Sequence, residues 1–550
     1  MSCARLACVL ALVGACGPVE KYGPPPVAGV TESSGSEAGT LGTGSVDPQP
    51  DPCAEAAEDT TGGSDEGADE DGFKFDVGAP DGSIGFSLSC DDVAAVPSNL
   101  GCTFWAVDLP NDERGTPMSP PAAEQPFAVV IANVSALGDA HVEIHLGDDE
   151  GEPVDIATIA PTATHTFELG AGGSIDAMAS SGDGIAFRID SDVPVAAYQF
   201  NPSGNVVEVY SNDASLLLPE QSLGQDYTAT TGDAIMLAMS ADDPTPVNAG
   251  AFVSIVAIAD DTHVQLAPTS ALVPAAFDEI VLDRGQVATV LSDALGEAYG
   301  NLSGTRVHAD QAIAVFGGNV ATAIPADVET CCADHLEHQL LPDTAWGTSY
   351  AVAPPPAPTG GGDAPARYAI VGGASDVELV WCPSRPDGAP KALDAGEYVA
   401  FDSDAGFTVR STDPDASFGI TQFTMSNTVL GDSQLGDPAM IVLPPTGQHE
   451  RRSLFVVPAG YVASWATLVV RDAADLRIDG EAIDEDDLRE LGTLRGAMHW
   501  YVHVPLAAGT HALESSSPAG VTVIGVDEAV GYGFAGGSGV RVLSIPPAAG

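Results

Sequence analysis

Leu216-Leu217-Leu218-Pro219 is one copy of a short apolar motif, ending in proline, that recurs along this 550-residue chain. The five prolines that end the motif are Pro97, Pro219, Pro342, Pro444 and Pro546. They are separated by 122, 123, 102 and 102 residues, and each interval is long enough for a small domain. The spacing therefore predicts four copies of one unit, over residues 98–219, 220–342, 343–444 and 445–550.

Each predicted unit contains the same kinds of β-strand. A nearly all-apolar stretch such as 252–256 is followed by an alternating stretch such as 263–266, and an apolar stretch such as 312–316 returns near the end. Alternation with a period of two is typical of a half-buried strand. About seven short strands in roughly a hundred residues indicate a β-sandwich. The sequence predicts an all-β fold of four tandem β-sandwich-like repeats. An arrangement in which pairs of copies share a sheet stays open, and residues 484–491 are the candidate for a short helix.

The N-terminus has the pattern of a bacterial lipoprotein signal. Residues 1–15 combine Arg5, an apolar run over 6–13 and small residues before Cys16. We expect cleavage before Cys16 and lipidation of that cysteine, because several acyl chains on one residue anchor a protein stably to a membrane. An ordinary signal peptide is the alternative. Gly17 after the cysteine favours an outer-membrane or cell-surface location over retention at the inner membrane.

Residues 16–97 are rich in Gly, Ser, Pro, Asp and Glu, a composition that predicts a disordered acidic tether. The whole chain has a formal charge of −60, of which −46 belongs to the predicted folded part. Repulsion from phosphates excludes nucleic acid as a partner, and contact with a membrane is expected only through the lipid. Calcium binding by acidic pairs such as Asp148-Asp149 and Asp260-Asp261 stays open, because these pairs lack EF-hand spacing.

Six cysteines follow the signal region and form an even set, which suggests disulfides in an exported protein. They are Cys53, Cys90, Cys102, Cys331, Cys332 and Cys382. We expect Cys90 to pair with Cys102 at the entry to the first unit, and one of Cys331 and Cys332 to pair with Cys382. Cys53 is then left for the other vicinal cysteine or unpaired.

The segment Cys331-Cys332-Ala333-Asp334-His335-Leu336-Glu337-His338 is the sharpest candidate for chemistry. Two thiols and two imidazoles are zinc ligands, but adjacent cysteines suit one tetrahedral site poorly and an oxidising compartment favours disulfides. We therefore expect a disulfide-fixed loop with surface histidines, and we assign no metal and no cofactor. The sequence contains no zinc-protease, nucleophile-elbow or phosphate-loop motif, so no catalytic residues are assigned and no enzyme is expected.

Residues 314–319, 332–342 and 346–350 resemble the N-terminal domain of IgGFc-binding proteins, a module of exported bacterial proteins, and residues 195–201, 218–219 and 223–227 resemble its earlier part. The resemblance covers about residues 101–444. The chain departs from the pattern at Asn319, where we expect histidine, and at His338, where we expect glutamate. The resemblance implies an adhesive or mucin-like secreted context and brings no catalytic residues.

These patterns favour a surface-tethered, non-catalytic binding or adhesion protein whose ligand is an unknown extracellular protein or glycan. A structural envelope or stalk protein is the main alternative, and a secreted hydrolase acting on glycans or peptides is a further one. Exposed apolar patches at loop ends would favour binding over a stalk role. A deep pocket with converging carboxylates would favour an enzyme.

Overall fold

The computed structural model describes residue 53 and residues 88–113, 121–135, 138–170, 184–203, 211–238, 246–273, 279–293, 300–326, 333–431, 435–471 and 475–544. Cys16, Cys331, Cys332, the signal region and most of the predicted tether lie outside these residues. Within them, none of the helical segments has the length and apolar character needed to cross a membrane. The described part is almost entirely β, so the all-β prediction is confirmed.

The described strands fall into four groups along the chain. The first contains β1 (Gly101–Ala106), β2 (Phe127–Asn133), β3 (Ala140–Leu146), β4 (Asp155–Ile159), β5 (Thr164–Leu169), β6 (Gly184–Ile185), β7 (Phe187–Asn201) and β8 (Asp213–Leu216). The second contains β9 (Gly224–Thr228), β10 (Ile235–Ala238), β11 (Pro246–Ala249), β12 (Ala251–Ala257), β13 (Thr262–Ala267), β14 (Leu272–Val273), β15 (Glu279–Leu282), β16 (Gln286–Ser292), β17 (Arg306–Thr322) and β18 (Asp334–Gln339).

The remaining strands complete the third and fourth groups. The third contains β19 (Ser349–Val352), β20 (Ala366–Gly372), β21 (Val377–Cys382), β22 (Ala392–Leu393), β23 (Tyr398–Ser403), β24 (Phe407–Ser411), β25 (Phe418–Thr424) and β26 (Met440–Leu443). The fourth contains β27 (Glu450–Val457), β28 (Ala463–Arg471), β29 (Leu476–Ile478), β30 (Glu481–Ala482), β31 (Arg489–Leu494), β32 (Ala497–Leu506), β33 (Gly509–Asp527) and β34 (Val530–Ala535).

A long strand near the end of each group joins two layers. The first half of β7 pairs with β1 and β3, and its second half pairs with β2 and β8. The strands β17 and β33 pair in the same way within their own groups. In the third group the chain leaves the sheet between β24 and β25, and the two layers become separate four-stranded sheets. The predicted unit boundaries follow these groups, but the number of repeats and their independence stay predictions.

The hydrophobic cores are shared around a closed circle of groups. Residues of one group pack into the core of the group before it, and the first group packs into the core of the fourth. The residues that cross these boundaries include Phe252 and Phe316, Phe423 and Met440, Ile524, and Tyr198 and Phe200. One sheet is also shared, because β6 of the first group pairs with β16 of the second. Each group therefore depends on a neighbour to cover its apolar surface.

The last strands of the four groups meet at the centre of this circle. Strand β8 contacts β18 and β34, and β26 contacts the same two strands, so the first and third groups lie on opposite sides. The two ends of the described chain close the circle. The Asn99 amide donates to the Ser538 carbonyl at 3.1 Å, and the Val540 amide donates to the Pro97 carbonyl at 3.1 Å.

Three glycines, each four or five residues after one of the first three motif prolines, lie where other prolines pack on the backbone. A Cβ atom on Gly224 would lie 2.6 Å from Cβ of Pro342, which is closer than real Cβ atoms approach. The corresponding distance is 2.2 Å between Gly101 and Pro219, and 2.6 Å between Gly347 and Pro445. The third contact uses Pro445 rather than the motif proline Pro444. These contacts join the start of a group to the segment that follows its last strand.

The candidate for a short helix at 484–491 is not an α-helix. This stretch instead forms a 3-10 turn at Glu485–Asp487, capped by Asp484, and then enters β31 at Arg489. The described part contains one α-helix, α1 (Cys90–Ala94), which sequence reasoning missed. Its signal was present, because Ser89 and Asp92 form a capping box that satisfies two backbone amides at the helix N-terminus.

Candidate functional site

The segment that carried the chemical candidates forms strand β18 at the centre of the molecule. All six residues of Asp334–Gln339 are buried, and the side chains of His335 and Glu337 have no solvent exposure. The expected loop with surface histidines is therefore wrong, because His335 and His338 belong to a buried strand that pairs with β17. No group of three His, Cys, Asp or Glu residues in the described part could hold a metal ion. Cys331 and Cys332 lie outside the described residues.

Asp213, at the start of β8, binds the other three central strands through one carboxylate. Its Oδ2 accepts hydrogen bonds from the amides of Glu337 at 3.2 Å and Met440 at 2.9 Å. Its Oδ1 accepts from the amides of Ala214 at 2.8 Å and Gly533 at 3.3 Å. Burial raises the pKa of Asp213 and the nearby Glu337 adds to the rise, whereas the backbone donors oppose it. The carboxylate thus joins all four groups at one point.

Asp334 lies beside this junction and carries a less satisfied carboxyl group. Its Oδ1 accepts hydrogen bonds from the amides of Asn212 at 2.7 Å and His335 at 2.8 Å. Its Oδ2 is buried and has no hydrogen-bond partner among the described residues. Burial raises the pKa of Asp334 well above its ordinary value, and the neighbouring carboxyl groups of Asp437 and Asp213 raise it further. Protonation of Asp334 is favoured because it removes an uncompensated charge from the interior.

His335 and Glu337 form a neutral contact rather than an ion pair. The Nε2 atom of His335 lies 3.5 Å from Oε2 of Glu337, which also accepts a hydrogen bond from Gln199 at 3.2 Å. Burial lowers the pKa of His335 to about 3 and raises the pKa of Glu337 well above its usual value. The His335 ring stacks on Phe252 with ring centroids 5.9 Å apart. The Gln199–Glu337 hydrogen bond joins the first and second groups, and the two fully buried side chains offer no access to a substrate.

A second group of polar side chains connects the third and fourth groups. Asp363 accepts from Arg489 at 2.7 Å and from the Tyr501 hydroxyl at 2.9 Å, and it lies 3.0 Å from Nε2 of His503. Nδ1 of His503 is 2.9 Å from the hydroxyl of Thr467, its partner across the sheet. This order of atoms resembles a hydrolase triad, but Thr467 is only 4% exposed. The hydroxyl cannot meet a substrate, and Asp363 instead connects a loop of one group to the sheet of the next.

Two disulfides are present among the described cysteines. Cys90 bonds to Cys102, the pair expected from the sequence, and this bridge ties α1 to β1. Cys382 bonds to Cys53, so its expected bridge to Cys331 or Cys332 is wrong. The expectation that Cys53 pairs with one of Cys331 and Cys332 or stays unpaired is also wrong, because Cys53 is the partner of Cys382. Folding brings the Cα atoms of Cys53 and Cys382 within 5.8 Å of each other across 329 residues of sequence.

The acidic pairs considered for calcium binding contribute side chains to hydrogen bonds and ion pairs with nearby residues. Asp148 accepts from Arg188 at 3.2 Å and lies 3.1 Å from Arg284, so it joins the first and second groups. The Asp260 side chain accepts from the Arg284 amide at 3.2 Å.

The two positions that depart from the expected family pattern, Asn319 and His338, are also buried. Asn319 accepts from the Gly232 amide at 2.7 Å, and Nδ1 of His338 lies 2.7 Å from the Gln339 carbonyl.

Comparison with protein families identifies the lineage of this arrangement. The family model described as "IgGFc binding protein" matches residues 213–525, which is more than half of the chain. The chain belongs to the IgGFc-binding family. The match begins at Asp213 and continues into β33, so it includes most of the fourth group, beyond the 101–444 range of the sequence resemblance. The Asp213 junction and β18 both lie inside the matched range.

One curated member of the family is the human IgGFc-binding protein. It is 27% identical to this chain over 252 residues, which cover 44% of this chain and 4% of the human protein. Among solved structures, an anti-sigma factor domain-containing protein from Clostridium clariflavum is 8% identical. It covers 72% of this chain and 99% of its own, with a TM-score of 0.10, and carries no argument about the fold or the function.

Proposed function

We propose that this member of the IgGFc-binding family is a non-catalytic binding module that a lipid on Cys16 holds at the outer membrane or cell surface. Membership of the family supports a role in binding an extracellular partner. The observation that carries the non-catalytic part is the burial of β18. The described side chains of the strongest chemical pattern in the sequence are buried, and Asp334 and Glu337 bond to the first group instead of lining an open site.

The partner is a protein or a glycan outside the cell. The name of the human relative makes an immunoglobulin Fc fragment one protein to include in a screen. A glycan array and a panel of immobilised extracellular proteins, probed with the Cys16→Ser chain without residues 1–15, test the proposal. Saturable binding that disappears when the protein is unfolded is the expected result. A folded protein that binds nothing on either surface would favour the stalk role.

Lipid anchorage has its own test. Labelled palmitate should be incorporated into the wild-type chain, and Cys16→Ser should abolish that incorporation and release the protein from the membrane fraction. Cys53→Ser is the matched control, because it removes another N-terminal cysteine and should leave the labelling unchanged. Equal labelling of the Cys16→Ser variant would contradict lipidation at this position.

The Cys53–Cys382 disulfide sets how the anchor would hold the body. Cys16 and Cys53 are 37 residues apart, and the tether predicted from the sequence would span about 35 Å over that length. The body is therefore held at the third group, at the end of β21, rather than through the chain that enters α1. Peptide mapping without reduction should yield a linked peptide containing Cys53 and Cys382. A free Cys53 thiol in the exported protein would contradict this attachment.

A further inference from the structure

The outer edge of the first group combines an open strand with exposed apolar side chains. Strand β4 ends its sheet and, among the described residues, pairs only with β3. Ile156 within this strand is 64% exposed, and Val154 just before it is 54% exposed. An edge strand with exposed aliphatic side chains and no lysine is a template on which another strand can pair.

The loop before this edge is acidic and fixed in place. Arg188, whose side chain is only 5% exposed, bonds to both Asp148 and Glu150 at 3.2 Å. These bonds hold the loop against the body and leave the acidic residues Glu152 and Asp155 exposed beside the aliphatic pair. The edge therefore presents apolar and negatively charged groups on a rigid support.

The edge belongs to the first group, whereas the disulfide to the N-terminal segment lies in the third group. Cys53 is joined to the third group, and the contacts of the central strands place the first group opposite the third. If the N-terminus is the membrane anchor, as the proposed function holds, the first group is directed toward the surroundings. A strand at its outer edge is then accessible to a partner.

We propose that β4 binds an extended segment of a basic extracellular protein by β-strand addition. The backbone of the segment would pair with the open edge of β4, as in other cases of β-augmentation. An aliphatic side chain of the segment would cover Ile156 and Val154, and lysine or arginine on either side would pair with Glu152 and Asp155. A second copy of this chain is disfavoured, because pairing two β4 edges would bring two acidic loops together on bodies of charge −46.

The probe is a fluorescent ten-residue peptide of alternating valine and lysine, titrated into the soluble Cys16→Ser chain with its disulfides intact. The matched peptide carries N-methyl groups on alternate residues, which keep the charge but block pairing with a strand. We expect the unmodified peptide to bind at least about tenfold more tightly, because backbone pairing supplies much of the affinity in this mode. Its addition should also slow hydrogen exchange of residues 155–159.

Two substitutions test the location. Ile156→Lys should weaken peptide binding about tenfold, because it places a charge on the edge. Val281→Lys changes a 46% exposed residue on β15, the equivalent edge of the second group, and should leave binding within about twofold. Val154→Lys is a second variant of the β4 edge if Ile156→Lys fails to show native circular dichroism.

Several results would overturn the proposal. These are failure of the unmodified peptide to bind, equal binding of the two peptides, or equal loss in the β4 and β15 variants. The last two outcomes would indicate adsorption to the acidic surface. A ligand from the array or the panel that binds the Ile156→Lys variant as well as the parent would also overturn it, and would leave the proposed binding function standing.

Discussion

Strands β18 and β34 occupy equivalent positions in the second and fourth groups but have opposite chemistry. Each is fully buried at the centre, and each pairs with the second half of the long strand before it. Strand β34 supplies Tyr532 and Phe534, which pack against Tyr198 and Phe200 of the first group. Strand β18 supplies carboxyl, imidazole and amide groups. The same position in the fold can thus be occupied by closely packed aromatic side chains or by polar side chains with hydrogen-bond partners.

The difference matters because buried polar groups accept fewer arrangements of the neighbouring strands than buried apolar groups do. An aromatic ring tolerates small shifts of its neighbours, whereas a buried carboxylate without donors costs several kcal/mol. Asp213 is satisfied only if β18, β26 and β34 all reach it in the correct register. We expect the polar side of the centre to specify how the groups meet and the apolar side to contribute general stability.

The largest expected effect is at the Asp213 junction. Asp213→Ala leaves the amides of Glu337, Met440 and Gly533 without their acceptor, and should lower the free energy of unfolding by about 3–5 kcal/mol. Asp213→Asn keeps one acceptor oxygen and should lose less. Chemical denaturation followed by tryptophan fluorescence measures both. A loss below about 1 kcal/mol in the alanine variant would show that the junction does not hold the groups together.

The next largest effect is a pH dependence of stability that the histidines of β18 should cause and that β34, which has no histidine, should not. Burial lowers the pKa of His335 to about 3 and of His338 to about 4, so both stay neutral in the folded protein when the unfolded chain takes up protons below about pH 6.5. Each histidine should therefore contribute a fall of about 2 kcal/mol in the free energy of unfolding as the pH falls from 6.5 to 5. The buried carboxyl groups with raised pKa values contribute in the opposite direction, so the histidine contribution is read from the difference between variant and parent. Denaturation curves at several pH values measure this slope.

His338→Gln should remove one histidine's share, so between pH 6.5 and 5 its free energy of unfolding should change by about 2 kcal/mol less unfavourably than that of the parent. Phe534→Leu, the matched change in β34, should leave the slope unaltered, because it removes no titratable group. An unchanged slope in the His338→Gln variant would mean that His338 accepts a proton in the folded state and is not isolated by burial.

A smaller effect is expected from changing the shape of the apolar side. Phe534→Leu exchanges one apolar side chain for another at the contact with Tyr198 and should cost about 1–1.5 kcal/mol. The central strands should keep their register, because β34 supplies no polar side chain to the Asp213 junction. Hydrogen exchange of the Glu337 and Met440 amides reports on that junction. Strong loss of their protection would show that shape, too, specifies how the groups meet.

The sequence predicted the kinds of strand and their recurrence but not how the groups close on one another. Period-two alternation is a local signal, and the recurrence of the apolar motif at Pro219 and Pro342 can be read along the chain without any knowledge of contacts. The burial of His335 and the partner of Cys382 depend on contacts between segments more than a hundred residues apart. Asp213 carried no motif, and its preference for turns and loops gave no sign that it would accept amides from three distant strands.

The smallest effect tests whether Glu337 is neutral in the folded protein. Burial raises its pKa, so the folded protein retains a proton that the unfolded chain loses above about pH 4.5, and stability falls as the pH rises through that range. Glu337→Gln resembles the protonated side chain and keeps an acceptor for Gln199, so it should cost less than about 1 kcal/mol. Because the variant lacks the ionisation, its disadvantage should shrink and then become an advantage as the pH rises from 4.5 to 7.5. Denaturation curves of both proteins at three pH values give the comparison. A disadvantage that grows with pH would show an ionised Glu337 stabilised by its neighbours, and β18 would then be held by charge rather than by neutral hydrogen bonds.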